Sequence, residues 1–348
     1  MAKQATITEI ARRAGVSIGT VDRVLHNRGG VSLKSQEKIM SILTEVGYRT
    51  NMHTSAVALR KEFKIVISVP QSISGEYWYG LLTGIRQATD EYSDIHIICE
   101  YLPYDQFEPA SCREAFSKVL GLNPDAVIIG PTFDAETHVL CKNLDEKKIP
   151  YVFVDTTFAD THPLASFTAD QPAGGSLVGS ILLSIVPPGK KIALFMSRHG
   201  SNSKARNAEQ RRRGLIEFIK ESGQSGRLVE AGLDINKREY GRMRDFFNSN
   251  PDIGGICVLN SRGHIIADFL HEEGLCGIKI VAFDLTDNNV RSLNNGSIYA
   301  LICQRPERQG FMAVTTLLEY LLYKRTRHGA QNLMPLDIVL KENLPFYQ

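Results

Sequence analysis

From Phe63 onward the chain alternates two kinds of stretch, and this alternation restricts its architecture more than any other feature. Apolar runs occupy 64–69, 95–101, 126–130, 151–154, 191–195, 255–259, 279–283 and 298–303. Longer amphipathic stretches lie between them, among them 81–92, 173–186, 209–220 and 309–323. Short strands alternating with helices predict parallel sheets covered by helices on both faces. The wide interval between the runs at 151–154 and 191–195 splits the pattern into two such sheets in tandem.

Open parallel sheets bind ligands outside the carboxyl ends of their strands. Asp155 follows YVFV, Asn260 follows ICVL, Asp284 follows IVAF and Gln304 follows YALIC. Four polar residues that each end an apolar run can hydrogen-bond the hydroxyls of a pyranose or similar polyol. Such a ligand also needs an aromatic surface for its C–H face. Tyr77 and Trp78, in the run after the first strand's loop, can supply it, and Trp78 is the only tryptophan. Each residue has a plainer reading. An aspartate at a strand end can cap the next helix, Trp78 can be core, and Arg211 in QRRRG can be a solvated surface charge.

The first fifty residues follow a different pattern. Thr6 and Glu9 have the spacing of a capping box that starts a helix near Ile7. Ile7, Ile10, Ala11 and Ala14 give that helix one apolar face, and Gly15 ends it. Val16 fills the gap, Ser17 caps a second helix that turns Val21, Val24 and Leu25 inward, and Ser32 caps a third bearing Ile39, Ile42, Leu43 and Val46. Two short helices joined this tightly form a helix-turn-helix, whose second helix reads the DNA major groove. Ser17, Ile18, Gly19, Thr20 and Arg23 occupy its exposed face. A small bundle that binds protein instead is the alternative.

The run AGVSIGTVDRVL, followed by VS and EKI, resembles the headpiece of the lac repressor family of bacterial transcription regulators. Asp22 departs from the family's small hydroxyl residue, and Gly19 offers no side chain for base readout. The resemblance implies a hinge helix over 51–61 whose leucine wedges into the minor groove. Val57 falls at that leucine position, with Leu59 as an alternative wedge. The DNA-contact candidates are therefore Thr6, Ser17, Ile18, Thr20, Arg23, Ser32 and Val57.

From Phe63 the chain resembles ribose-binding-type periplasmic sugar-binding proteins, best over IVAFDLTDNNVRSLNNGSIYALICQRPERQG. That resemblance implies effector contacts at Tyr77, Trp78, Asp155, Arg211, Asn260, Asp284 and Gln304. Thr156 stands where the ribose-binding pattern often has arginine, which points away from ribose itself. The implied organisation is a headpiece over 1–50, a hinge over 51–61 and a sensing module over 62–348. Lobe one then takes about 62–169 and 305–330, and lobe two about 170–304 and 331–348.

Charge agrees with this division. Residues 1–60 hold nine Lys and Arg against four acids, whereas the rest holds 31 against 34. A basic head on a slightly acidic body suits contact with phosphates at one end only. The six cysteines form no CxxC pair, and those at 99, 257 and 303 lie in apolar runs, so buried free thiols are expected. The nine histidines show no metal spacing, no apolar run approaches a membrane span, and the polar N-terminus lacks a signal sequence. A cytoplasmic location and the absence of any metal or cofactor are the expectation. No GxGxxG opens a helix, no GxSxG appears, and PPGKK lacks the earlier glycine of a phosphate loop, so an enzyme is not expected. The sequence thus predicts a homodimeric, operator-binding regulator controlled by a small polar effector, a sugar first among them. A sugar-binding protein without a DNA role is the alternative.

Overall fold

A computed structural model describes residues 7–25, 30–45, 62–196, 198–199, 203–204, 206–324 and 330–347. The expectations for Thr6, Val46, Val57, Leu59 and the Leu25 side chain lie outside them. The headpiece consists of α1 (Ile7–Ala14), α2 (Ile18–Leu25) and α3 (Leu33–Glu45). Gly15 ends α1 at φ +70°, a conformation costly for residues with a Cβ. The Ser17 hydroxyl accepts from the Thr20 amide at 3.1 Å, and the Ser32 hydroxyl from the Ser35 amide at 3.2 Å. Both serines are thus N-caps. Ile10, Ala11, Ala14, Val21, Ile39, Ile42 and Leu43 form one small core, with Val16 and Val24 packed against it.

The sensing module begins with β1 (Glu62–Ser68), α4 (Tyr77–Glu91), β2 (His96–Tyr101), α5 (Pro109–Val119), β3 (Ala126–Ile129), α6 (Asp134–Glu146), β4 (Tyr151–Asp155) and β5 (Ala165–Ala169). It continues with α7 (Gln171–Ile185), β6 (Lys191–Met196), the short β7 (Arg198–His199) and β8 (Ser203–Lys204), α8 (Arg206–Glu221), β9 (Leu228–Asp234), α9 (Tyr240–Ser249) and β10 (Ile253–Val258). The last elements are α10 (Gly263–Glu272), β11 (Lys279–Phe283), α11 (Asp287–Asn294), β12 (Ala300–Cys303), α12 (Pro306–Tyr323), β13 (Ala330–Met334) and β14 (Asp337–Val339). The first sheet runs β13-β5-β4-β3-β1-β2 and the second β14-β12-β11-β10-β6-β9. Pairing is parallel throughout both, except that β14 is antiparallel to β12. Each sheet has apolar clusters on both faces, as the alternation of strand and helix predicted.

Three chain crossings join the lobes: β5 to α7, β12 to α12, and β13 to β14. The third falls after Met334 rather than near 330, because Ala330–Met334 pairs with β5 in the first sheet. Arg305 on the second crossing and Asp337 beyond the third are clasped by two hydrogen bonds of 2.6 and 2.8 Å. Cys99 is only half-buried, since β2 is an edge strand, whereas Cys257 and Cys303 are buried free thiols.

Each lobe has one helix pair in backbone contact. In lobe one, a Cβ on Gly84 would lie 1.8 Å from the Glu307 carbonyl oxygen, and one on Gly310 2.1 Å from that of Leu81. In lobe two, a Cβ on Gly175 would lie 1.8 Å from the Arg211 carbonyl oxygen, and one on Gly214 2.0 Å from that of Pro172. Backbone cannot yield as a side chain can, so alanine must push the helices apart. Gly84→Ala and Gly214→Ala should each lower stability by about 1–3 kcal/mol in urea unfolding. Gly121→Ala, with nothing near its Cβ position, should stay within about 0.5 kcal/mol. Equal effects at the three positions would contradict the close packing.

Candidate effector cleft and DNA-reading helix

A cleft of ≈ 510 Å³ opens between the lobes. All seven residues singled out from the sequence line it: Tyr77, Trp78, Asp155, Arg211, Asn260, Asp284 and Gln304. Four lie at strand ends, Tyr77 and Trp78 start α4, and Arg211 lies in the second turn of α8. Asp155 ends β4, Asp284 follows β11, Asn260 follows β10 and Gln304 follows β12, as the strand-end rule requires.

Neither aspartate caps a helix. Thr286, not Asp284, caps α11. Asp155 accepts from the Tyr77 hydroxyl at 2.7 Å and from Asn207 Nδ2 at 2.8 Å. Both aspartates have φ +69°, a left-handed conformation that non-glycine residues seldom adopt and that clusters at functional sites. Buried amides surround each. Asn289, with no exposed surface, donates to the carbonyls of Phe283 (2.8 Å) and Asp284 (3.1 Å) and accepts from the His264 amide (2.9 Å). Gln309 Oε1 accepts from the Asp155 amide at 2.8 Å.

Arg211 is buried rather than solvated, at 4% exposure. Its Nε donates to Gln171 Oε1 (2.6 Å), and its terminal nitrogens donate to the Leu259 carbonyl (2.8 Å) and Gln304 Oε1 (2.7 Å). Its guanidinium stacks 3.8 Å over the Phe283 ring. Gln304 in turn donates to Asp284 Oδ1 at 2.7 Å. Loss of hydration lowers the Arg211 pKa, while Asp284 and Asp155 oppose that shift. Burial raises the pKa of Asp155 against the hydrogen bond from Tyr77, and it lifts Asp284 to about 6 against Arg211. The Tyr77 hydroxyl, desolvated and beside Asp155, is held well above its ordinary value.

Trp78 is a core residue that also lines the cleft. It is 7% exposed and belongs to the lobe-one core, yet it lines the cleft edge-on to Tyr77 at 5.3 Å. Contacts also cross the mouth. Glu76 and Arg262 pair at 3.2 Å, the Asp287 amide donates to the Gly75 carbonyl at 2.9 Å, and Arg206 stacks 4.7 Å over Phe158. Sequence reasoning missed Gln171, Asn207, Phe158 and Gln309. Among the described residues no cluster of histidine, cysteine and carboxylate side chains could hold a metal. None of the described helices is long and apolar enough to cross a membrane.

The capping Ser17 and, on α2, Ile18 and Arg23 are exposed, and Ile18 presents 52% of its surface at the helix start. The Ser17 and Thr20 hydroxyls are 2.9 Å apart, so the capping serine is already engaged.

Over residues 65–325 the chain matches the periplasmic binding protein domain, and over 6–51 it matches the bacterial regulatory proteins of the lacI family. It is 26% identical over 248 residues to the HTH-type transcriptional regulator DegA of Bacillus subtilis, covering 69% of each chain. A candidate LacI transcriptional regulator from Bacteroides fragilis superposes with a TM-score of 0.78 at 28% identity, over 83% of this chain and 100% of that one. The transcriptional regulator CelR in complex with cellobiose shares the fold at 17% identity and a TM-score of 0.63, over 97% of this chain and 98% of that one. With a helix-turn-helix headpiece ahead of a two-lobed binding module, the chain belongs to the lacI family of DNA-binding transcription regulators.

Proposed function

We propose that the cleft binds a sugar and that lobe closure around it controls how a homodimer engages operator DNA, most simply as a repressor. The observation that carries this reading is the pair of left-handed aspartates, Asp155 on lobe one and Asp284 on lobe two, facing one cleft beside aromatic Tyr77 and Trp78. Carboxylates accept hydroxyl hydrogens, and an aromatic face suits sugar C–H groups. The cellobiose complex of CelR, on the same fold, supports a carbohydrate. Among the described residues Asn207 Oδ1 is buried without a partner, and it offers one more acceptor.

A ligand that binds only the folded state raises stability by about 2.7 kcal/mol at a hundredfold excess over Kd. A thermal-shift panel of neutral pentoses, hexoses and disaccharides should therefore contain a stabilising sugar. Asp155→Asn and Asp284→Asn should each abolish that shift while the unliganded protein still unfolds cooperatively. A shift that survives both changes would remove the aspartates from the site.

Affinity for that sugar should also depend on pH. Protonation removes an acceptor, so affinity should weaken as pH falls through about 6, where Asp284 titrates. The carboxyl's own contribution to stability has the opposite sense. Its folded pKa is raised, so its stabilisation is complete below the unfolded value and is lost as pH rises through about 6. Calorimetric titration between pH 5 and 8 would separate the two, and an affinity flat across that range would exclude Asp284 as a sugar acceptor.

At the DNA end, Arg23 is exposed on α2, on the face opposite the buried Val21. Arg23→Ala should weaken operator binding by about 1–3 kcal/mol if Arg23 reads a base. Gel-shift titration on the native operator measures this, and unchanged affinity would take Arg23 out of the interface.

A further inference from the structure

Gln309 is a polar residue where a core residue is expected. It lies on α12 at four-residue spacing from Ala313 and Leu317, both without exposed surface, and it too is fully buried. A buried amide is costly unless its polar atoms are bonded. Here they are. Oε1 accepts from the Asp155 amide at 2.8 Å, and Nε2 donates to the Gln304 carbonyl at 3.0 Å and to the Tyr77 hydroxyl oxygen at 3.3 Å. All three partners line the cleft, and Gln304 lies on the second interlobe crossing. Gln309 itself does not line the cleft. The Asp155 amide belongs to a residue at φ +69°, and an apolar side chain at 309 would leave that amide without this acceptor. Nothing in the packing of α12 itself requires an amide there.

We propose that Gln309 is a positioning residue of the effector cleft: it sets the Asp155 carboxylate and the Tyr77 hydroxyl from behind and ties both to the backbone of the interlobe crossing. The role of the cleft itself rests on the reading above. The placement of Asp155 and Tyr77 by Gln309 is testable without any effector. Gln309 thereby makes the lobe-one half of the site and the crossing one mechanical unit. Movement of Gln304 when the lobes open or close is passed to Asp155 and Tyr77 through a single side chain.

Full-length protein carrying Gln309→Leu, or Gln309→Met should leucine fold poorly, tests this by amide hydrogen exchange and by NMR of ¹³C-labelled tyrosine, with Tyr77 assigned by Tyr77→Phe. Val314→Ala, a fully buried change in the same helix, controls for lost stability. Exchange at the Asp155 amide should quicken about tenfold beyond the factor set by global stability, as loss of its acceptor requires. The Tyr77 ring resonance should shift, and neither change should occur in Val314→Ala. If exchange at Asp155 in the Gln309 variants rises only as global stability falls, and Tyr77 does not shift, Gln309 is filling core and the proposal is overturned. Failure of every sugar to bind would instead count against the effector reading, leaving these two signatures intact.

Discussion

A buried guanidinium is the constraint around which the sensing module is built. Arg211 has almost no contact with solvent, and a charge so placed is tolerated only when paired and hydrogen-bonded. Its partners come from the start of α7, the residue after β10, the residue after β12 and the ring that ends β11. Two of those partners, Gln171 and Gln304, sit on interlobe crossings and bond each other at 3.2 Å. The arrangement therefore fixes more than a charge. It brings the first and second crossings to one point and presents Asp284, held by Gln304, to the cleft.

The lobes meet over this network through polar contacts. Asn207 on lobe two donates to Asp155 on lobe one, and Arg262 reaches Glu76. Such contacts form and break with little apolar burial, so opening and closing differ by small free energies. A ligand that touches both lobes shifts that balance only through its differential affinity for the two arrangements. Lobe one follows the headpiece in the chain, so in the proposed dimer its orientation would set the spacing of the two reading helices. Operator half-sites fix that spacing.

Much of this was legible in the sequence, for identifiable reasons. The central strand Lys279–Phe283, apolar and buried after its exposed first residue, was placed to the residue. Ala165–Ala169 escaped because Ser166 and Thr168 interrupt its apolar pattern, although both side chains are buried. Leu228–Asp234 and Ala330–Met334 are edge strands with polar positions, and the latter carried the third crossing beyond its expected place. Strand ends and the family resemblance both mark Asp155, Asn260, Asp284 and Gln304. Tyr77 and Trp78 were marked by the aromatic run after the first strand's loop and the resemblance, and Arg211 by the resemblance alone. Gln171, Asn207 and Gln309 lie within helices, where no strand-end rule applies. Gln309 did leave a trace, an amide on an otherwise apolar stripe with Ala313 and Leu317. Asn207 left none, since its partner Asp155 stands on the other lobe, far away in the sequence.

The central claim is that effector binding and DNA binding share one conformational equilibrium. Thermodynamic linkage makes this reciprocal: operator DNA must change sugar affinity by the factor by which sugar changes DNA affinity. The direct measurement is calorimetric titration of the stabilising sugar into the full-length protein, alone and saturated with an operator of two half-sites. The account predicts sugar affinities that differ by about 5- to 150-fold between the two titrations, the scale of a coupling of about 1–3 kcal/mol. Equal affinities would mean that the cleft binds its ligand without controlling the headpiece, and would contradict the account.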